Sequence, residues 1–165
     1  MTGTFPRNEP RFLADATVMR LGKWLRILGY DTVCCGGDSE QDLFRRAAQE
    51  GRTVLSRKRK WRSGAERHPG LVILSRERAG DQLHELLERF VILPDPRRFL
   101  TRCVRCNTLL EAVPKDRVAE SLPVHIRESV GQFHRCPGCG KVYWPGSHPG
   151  RMRQFLRRRS PDRPL

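Results

Sequence analysis

Two Cys-x-x-Cys pairs constrain this chain more than any other feature: Cys103-Val104-Arg105-Cys106 and Cys136-Pro137-Gly138-Cys139. Pairs separated in this way converge on one tetrahedral Zn²⁺, each forming a tight knuckle that aims two thiolates at a common point. Pro137, Gly138 and Gly140 ease the second turn, since Pro pre-sets φ and Gly tolerates positive φ. The competing reading is four ordinary thiols or two disulfides. Cys103, Cys106, Cys136 and Cys139 complete a four-ligand set without a vacancy, which makes the expected site structural. Any catalysis has to come from elsewhere in the chain.

A length of 165 residues suits one small core with an appendage. The cysteine pairs lie in the last third, so the expected division is an N-terminal domain over 11–95, a zinc ribbon over 100–148 and a basic segment over 149–165. No apolar run reaches the length of a membrane span, and the opening MTGTFPRNEPR lacks the apolar core of a signal peptide. Thiols in metal-knuckle spacing suit a reducing compartment, and the cytoplasm is expected. The net charge is +14, from 32 Lys+Arg against 18 Asp+Glu, and all but five of the basic residues are Arg. Arginine's planar fork matches phosphate and stacks on bases. Nucleic acid is therefore the first partner to consider, with an acidic membrane or a protein partner behind it.

Hydrophobic spacing gives the order of elements. Arg11–Asp15 reads as a short buried strand ending in a carboxylate. Thr17 is placed to cap a helix carrying Val18, Leu21, Leu25 and Leu28 on one face, with Gly29 at its end. Asp31–Cys34, Thr53–Ser56 and Leu71–Leu74 are further strands. Ser39 caps a helix running to Glu50 and closed by Gly51, while Leu83, Leu86, Leu87 and Phe90 mark another. Alternation at this pace implies βαβ units, hence an α/β domain with a parallel sheet covered on both faces. Ligand sites in such sheets lie at the carboxyl ends of the strands, which selects Asp15, Ser56 and Ser75. Pro94-Asp95-Pro96 reads as a hinge. Beyond it, Pro114–Val118 and Val124–Val130 suggest a turn and a short helix, and Met152, Phe155 and Leu156 share one helical face.

An acid at the end of a first parallel strand suggests metal-dependent phosphodiester chemistry, in which carboxylates hold Mg²⁺ or Mn²⁺. Asp15 is the first candidate and Asp42 the second, with Asp38 and Glu40 able to replace Asp42. Glu77 and Asp81 follow the fourth strand. The run Arg57-Lys58-Arg59-Lys60-Trp61-Arg62 combines phosphate-neutralising cations with an aromatic platform for an unpaired base. Its alternative is a solvated loop with Trp61 tucked into the core. Cys34 and Cys35 read as buried strand residues, and His148 as a bystander to a zinc site that is already complete.

Two phrases resemble one family. Asp15, then Leu21, then Trp24-Leu25-Arg26-Ile27-Leu28-Gly29-Tyr30-Asp31-Thr32 is similar to the opening of the Mut-7 C-terminal RNase domain family. Arg102–Asn107 and Phe133–His148, ending CGKVYWPGSH, are similar to its ribbon. The resemblance runs from about Arg11 to Met152. It implies a PIN-like three-layer α/β/α nuclease domain followed by a zinc ribbon, cleaving RNA with acidic residues and a divalent cation. Asp15 takes the first acidic position and Asp42 lies where the second is expected. The third acid belongs to a phrase that here reads Val54-Leu55-Ser56-Arg57-Lys58, and Lys58 stands in its place. An ammonium there weakens metal binding, pairs with Asp15 or Asp42, or contacts phosphate directly. The resulting readings are a metal-dependent endoribonuclease and a non-catalytic RNA- or ribonucleoprotein-binding module, with a protein–protein adaptor third.

Overall fold

A computed structural model describes residues 9–146, 152 and 154–156 (of residues 64–67, the backbone alone). The chain divides into two compact units. One takes the chain up to Leu25 together with Tyr30–Ile92; the other takes Arg26–Gly29 together with everything from Leu93 on.

The first unit is built on four parallel strands, β1 (Phe12–Ala14), β2 (Thr32–Cys34), β3 (Thr53–Ser56) and β4 (Leu71–Ile73), in the order β2-β1-β3-β4. Leu13 stands opposite Val33 on one side and Val54 on the other. Because strand side chains alternate, Leu13, Val54 and Ile73 share one face. There they meet Leu43, Phe44 and Ala47 of helix α2 (Glu40–Glu50), and Trp61. On the opposite face, Phe12 meets the rings of Tyr30 and Phe90 edge-on, with centroids 6.2 and 5.7 Å away. Helix α1 (Met19–Ile27) packs there as well, through Gly22. A Cβ at Gly22 would lie 2.5 Å from Cys34 Sγ and 3.1 Å from Ala14 Cβ, so only glycine permits that approach. Helix α3 (Ala79–Arg89) contributes the buried Leu83, Leu86 and Leu87. The parallel α/β architecture is thus as expected from the alternating pattern.

Local signals held at Ser39, whose hydroxyl accepts from the Asp42 amide, and at Gly51, which ends α2 with φ +60°. Thr17 is not the cap of the first helical segment. Asp15 fills that role: its backbone is extended and its carboxylate accepts the Thr17 amide, opening a 3₁₀ turn over Ala16–Val18 that leads into α1. A carboxylate already at the strand end intercepts the free amide before a residue two positions later can. The basic stretch after β3 forms a 3₁₀ helix over Arg59–Arg67.

The second unit carries a small antiparallel sheet, β5 (Glu111–Val113), β6 (Phe133–Arg135) and β7 (Val142–Tyr143), in the order β5-β6-β7. The expected turn and short helix appear as a 3₁₀ turn at Lys115–Arg117 and helix α4 (Val124–Ser129). Val118, Leu122 and Phe133 form a small buried cluster, flanked by Val113, Ile126, Val130, Val142 and Trp144. The Pro94-Asp95-Pro96 segment is ordered by Asp95, whose carboxylate accepts the Arg97 amide at the start of a 3₁₀ turn. Of the basic C-terminal segment, Met152 and Leu156 are buried and Phe155 half-buried, as one helical face requires. Gln154 is exposed, and His148 and the remaining residues of that segment lie outside the described residues.

Candidate functional site

The four cysteines come together. Their ligating sulfurs all lie within 4.8 Å of one another. Cys103 Sγ is 3.5 Å from Cys139 Sγ, and Cys106 Sγ is 3.3 Å from Cys136 Sγ. All four cysteines are free of disulfides.

The two knuckles repeat one backbone pattern. The Cys106 amide points at Cys103 Sγ (3.5 Å) and the Cys139 amide at Cys136 Sγ (3.4 Å). The Asn107 amide donates to the Cys103 carbonyl, and the Gly140 amide to that of Cys136. Cys103 and Cys136 in turn donate their own amides to Thr108 and Lys141. The left-handed position needed to close each turn falls on Asn107 (φ 73°) and Gly140 (φ 72°). Amides directed at sulfur favour thiolate. The Thr108 hydroxyl holds Cys106 down to about 6. Against a lowering hydrogen bond from the Lys141 backbone, desolvation and the three neighbouring sulfurs push Cys139 up to about 11. Four thiolates this close repel one another unless a cation is among them, and four sulfurs at tetrahedral reach fit a metal ion.

Three further residues brace the first knuckle, and none was evident from cysteine spacing. The Tyr143 hydroxyl lies 3.1 Å from both Cys103 Sγ and the Val104 amide. Thr108 Oγ1 is 3.3 Å from Cys106 Sγ. The buried Arg26, which belongs to the same unit, donates to the carbonyls of Val104 (3.0 Å) and Arg105 (2.8 Å). Arg26 and Tyr143 sit inside the two phrases that carry the family resemblance, which was the available signal.

In the sheet unit, the strand order reverses direction between β1 and β3, and such a switch point opens a crevice at the carboxyl ends of the strands. Asp15 and Ser56 stand there. Asp15 is 1% exposed; its Oδ1 accepts the Thr17 amide and hydroxyl, and its Oδ2 accepts the Ser56 hydroxyl at 2.7 Å. Thr17 Oγ1 also receives the Arg57 amide, and Ser56 Oγ the Lys58 amide, so the loop after β3 is tied to the acid through two hydroxyls. Lys58 Nζ lies 3.6 Å from Asp15 Oδ2 and 4.3 Å from the centroid of the Trp61 ring.

Asp42 is held elsewhere. Its carboxylate takes the Ser39 hydroxyl at 2.6 Å and pairs with Arg45, and its side chain is half exposed on the first turn of α2. Asp15 and Asp42 thus spend their oxygens on separate partners. Among the described residues, the cysteine cluster is the metal-ligating group of three or more side chains; the acids form none. The Asp15 donor set does not fit a divalent cation as it stands, because hydroxyl, amide and ammonium donors already fill its oxygens. Glu40 receives the Trp61 indole N–H at 2.6 Å, and Asp38 lies by Cys35, whose thiol burial and then Asp38 push up to about 11. Glu77 pairs loosely with Arg57, and Ser75 donates to Glu85.

Trp61 corrects one expectation. It is 5% exposed, with Phe44 edge-on at 5.1 Å and Lys58 over its ring, so it is a core residue and no base can stack on it. The cations of that run divide by exposure: Arg59, Lys60 and Arg62 are exposed, while Arg57 and Lys58 are half-buried.

A parallel α/β unit with an acid at its switch point, followed by a four-cysteine ribbon, defines the class. The Mut7-C RNAse domain family model matches residues 10–156, and the chain belongs to that family. No curated protein and no solved structure matches the chain. No helix among the described residues is long and apolar enough to cross a membrane.

Proposed function

We propose that the chain is an RNA-processing protein of ribonuclease lineage that engages RNA at the carboxyl edge of its parallel sheet, with Lys58 in the place of a divalent cation beside Asp15. The observation that carries this reading is the 3.6 Å approach of Lys58 Nζ to the buried Asp15 carboxylate. A dication brought within about 4 Å of that ammonium would meet repulsion on the order of 8 kcal/mol at an effective dielectric near 20. Metal-assisted cleavage is therefore disfavoured, and the supported role is RNA binding. Arg57, Lys58, Arg59, Lys60 and Arg62 neutralise phosphates; Asp15 orients Lys58 through their ion pair. Zn²⁺ in the four-cysteine site supplies folding energy to the ribbon unit and no chemistry. The setting is the cytoplasm, where thiols stay reduced.

Family membership favours a second reading, a metal-dependent endoribonuclease in which Lys58 swings away and Asp15 and Asp42 hold Mg²⁺ or Mn²⁺. One experiment separates the two: RNA affinity as a function of salt, with cleavage followed in the same samples with and without Mg²⁺. Affinity that falls steeply with salt and intact RNA in both samples support the first reading. Cleavage that requires Mg²⁺ and vanishes in Asp15→Asn supports the second. Absence of salt-dependent RNA binding refutes both.

A further inference from the structure

The ribbon unit contains a cleft of about 670 Å³, within the size of clefts that receive small organic groups. Tyr143 and Trp144 at the end of β7 line it, together with Pro123 and Ile126 at the start of α4. Its charged or titratable lining residues besides Tyr143 are His125 and Lys141, and no acidic residue lines it. Both aromatic rings are half-exposed and both are fixed. Tyr143 is tied through its hydroxyl to the first knuckle, and Trp144 packs against the Val118, Leu122 and Phe133 core. Lys141 Nζ lies 5.7 Å from the centroid of the Tyr143 ring.

We infer that this cleft is a second RNA-binding site, one that receives an unstacked base of a single strand on Trp144 while Lys141 supplies charge, and His125 a ring N–H donor, to the flanking phosphates. The inference rests on the RNA-binding reading given above and adds to it a place where bases, rather than phosphates, are recognised. A rigid aromatic beside a cation is the element that single-strand binders use, because every base offers a π-face. A duplex keeps its bases stacked and cannot offer one. Charge decides for RNA over a protein as the occupant. Within Arg26–Gly29 and Leu93–Gly146, which are described throughout, 10 Lys+Arg stand against 5 Asp+Glu, a net of +5. The correction at Trp61 sharpens the point: that ring is enclosed, whereas Trp144 retains open surface.

The test uses the full chain loaded with Zn²⁺, a fluorescent single-stranded 12-mer of uridylate and a 12-base-pair RNA duplex. Three proteins are compared by anisotropy over a salt series: wild type, Trp144→Leu, and the rim double variant Arg59→Ala/Lys60→Ala. Leucine keeps the packing against the ribbon core and removes the stacking surface; equal zinc content confirms the fold. Trp144→Leu is expected to weaken the single strand by roughly 5- to 150-fold, the effect of one stacked base, and to leave the duplex within about twofold. The rim variant is expected to weaken both probes and to lower the salt slope by between about one and two. If wild type binds RNA and Trp144→Leu binds the single strand equally well, this inference is overturned. Equal losses on both probes overturn it too. If wild type binds neither probe, the RNA-binding reading itself falls.

Discussion

Lys58 and Asp15 form an ion pair at the carboxyl edge of the parallel sheet, Nζ to Oδ2 at 3.6 Å, between an acid that is 1% exposed and a lysine that is about one-third exposed. The pair sits on the boundary between β1 and β3, and the two hydroxyls that satisfy the acid, from Thr17 and Ser56, also position the loop that carries the lysine. The energetic coupling between them is open to measurement. Asp15→Asn keeps an acceptor for Thr17 but turns an amide toward Ser56 and the ammonium, and should cost roughly 2–4 kcal/mol. Lys58→Met should cost about 1–2 kcal/mol, since solvent screens part of its charge. A double-mutant cycle in urea should then return a coupling of about 1 kcal/mol or more. Additivity would mean that the two charges do not sense each other.

The second prediction concerns the four-cysteine site. The buried cluster of Val118, Leu122 and Phe133 is small, and a metal held by the four cysteines is expected to contribute much of the unit's stability. Treatment with a strong chelator should release one metal ion per chain. The Asn107 and Gly140 amides, which close the two knuckles, should lose protection against hydrogen exchange. The amides of Val54 and Leu55 in β3 should keep theirs. Unchanged exchange at Asn107 and Gly140 would show that the ribbon stands without metal.

A third prediction follows from Glu50 at the end of α2. Hydrogen bonds from Arg52, and then from Arg46, hold its carboxyl below the usual range. A lowered folded-state pKa contributes stability above the unfolded value, near 4.3, and that contribution disappears as pH falls through the folded value. Urea unfolding followed from pH 6 downward should therefore show a shallower acid limb in Glu50→Gln than in wild type. Identical limbs would remove Glu50 from the acid response. Arg52 is 8% exposed and also donates to Asp31 at 2.7 Å, so its own replacement should be far more damaging.

Much of the architecture was legible because the relevant signals are local. The apolar runs of β1, β3 and β4, the Ser39 cap and the Gly51 stop depend on neighbours within a few residues. So does each Cys-x-x-Cys turn, and the four thiols met as their spacing required. The site was harder because its contacts are long-range. Lys58 was recognised as out of place only by likeness to the family phrase; that it turns to Asp15 rather than Asp42 depends on tertiary packing. Trp61 lies in a basic run that looks solvent-facing, yet Phe44 and Glu40, both on α2, draw it inward. Arg26 and Tyr143 brace the first knuckle from positions 78 and 39 residues away along the chain from Val104, beyond any local pattern.

Whether Lys58 holds a cation's place beside Asp15 is tested most directly by the uptake of Mn²⁺ by zinc-loaded protein, measured for wild type, Lys58→Asp and Lys58→Asp/Asp15→Asn. Wild type should bind no Mn²⁺ in the micromolar to low millimolar range. One ion should bind Lys58→Asp, and binding should be lost again when Asp15 is also replaced; Mn²⁺-dependent cleavage of single-stranded RNA should follow the same order. Equal uptake by wild type and Lys58→Asp would contradict the claim that Lys58 holds the cation's place beside Asp15.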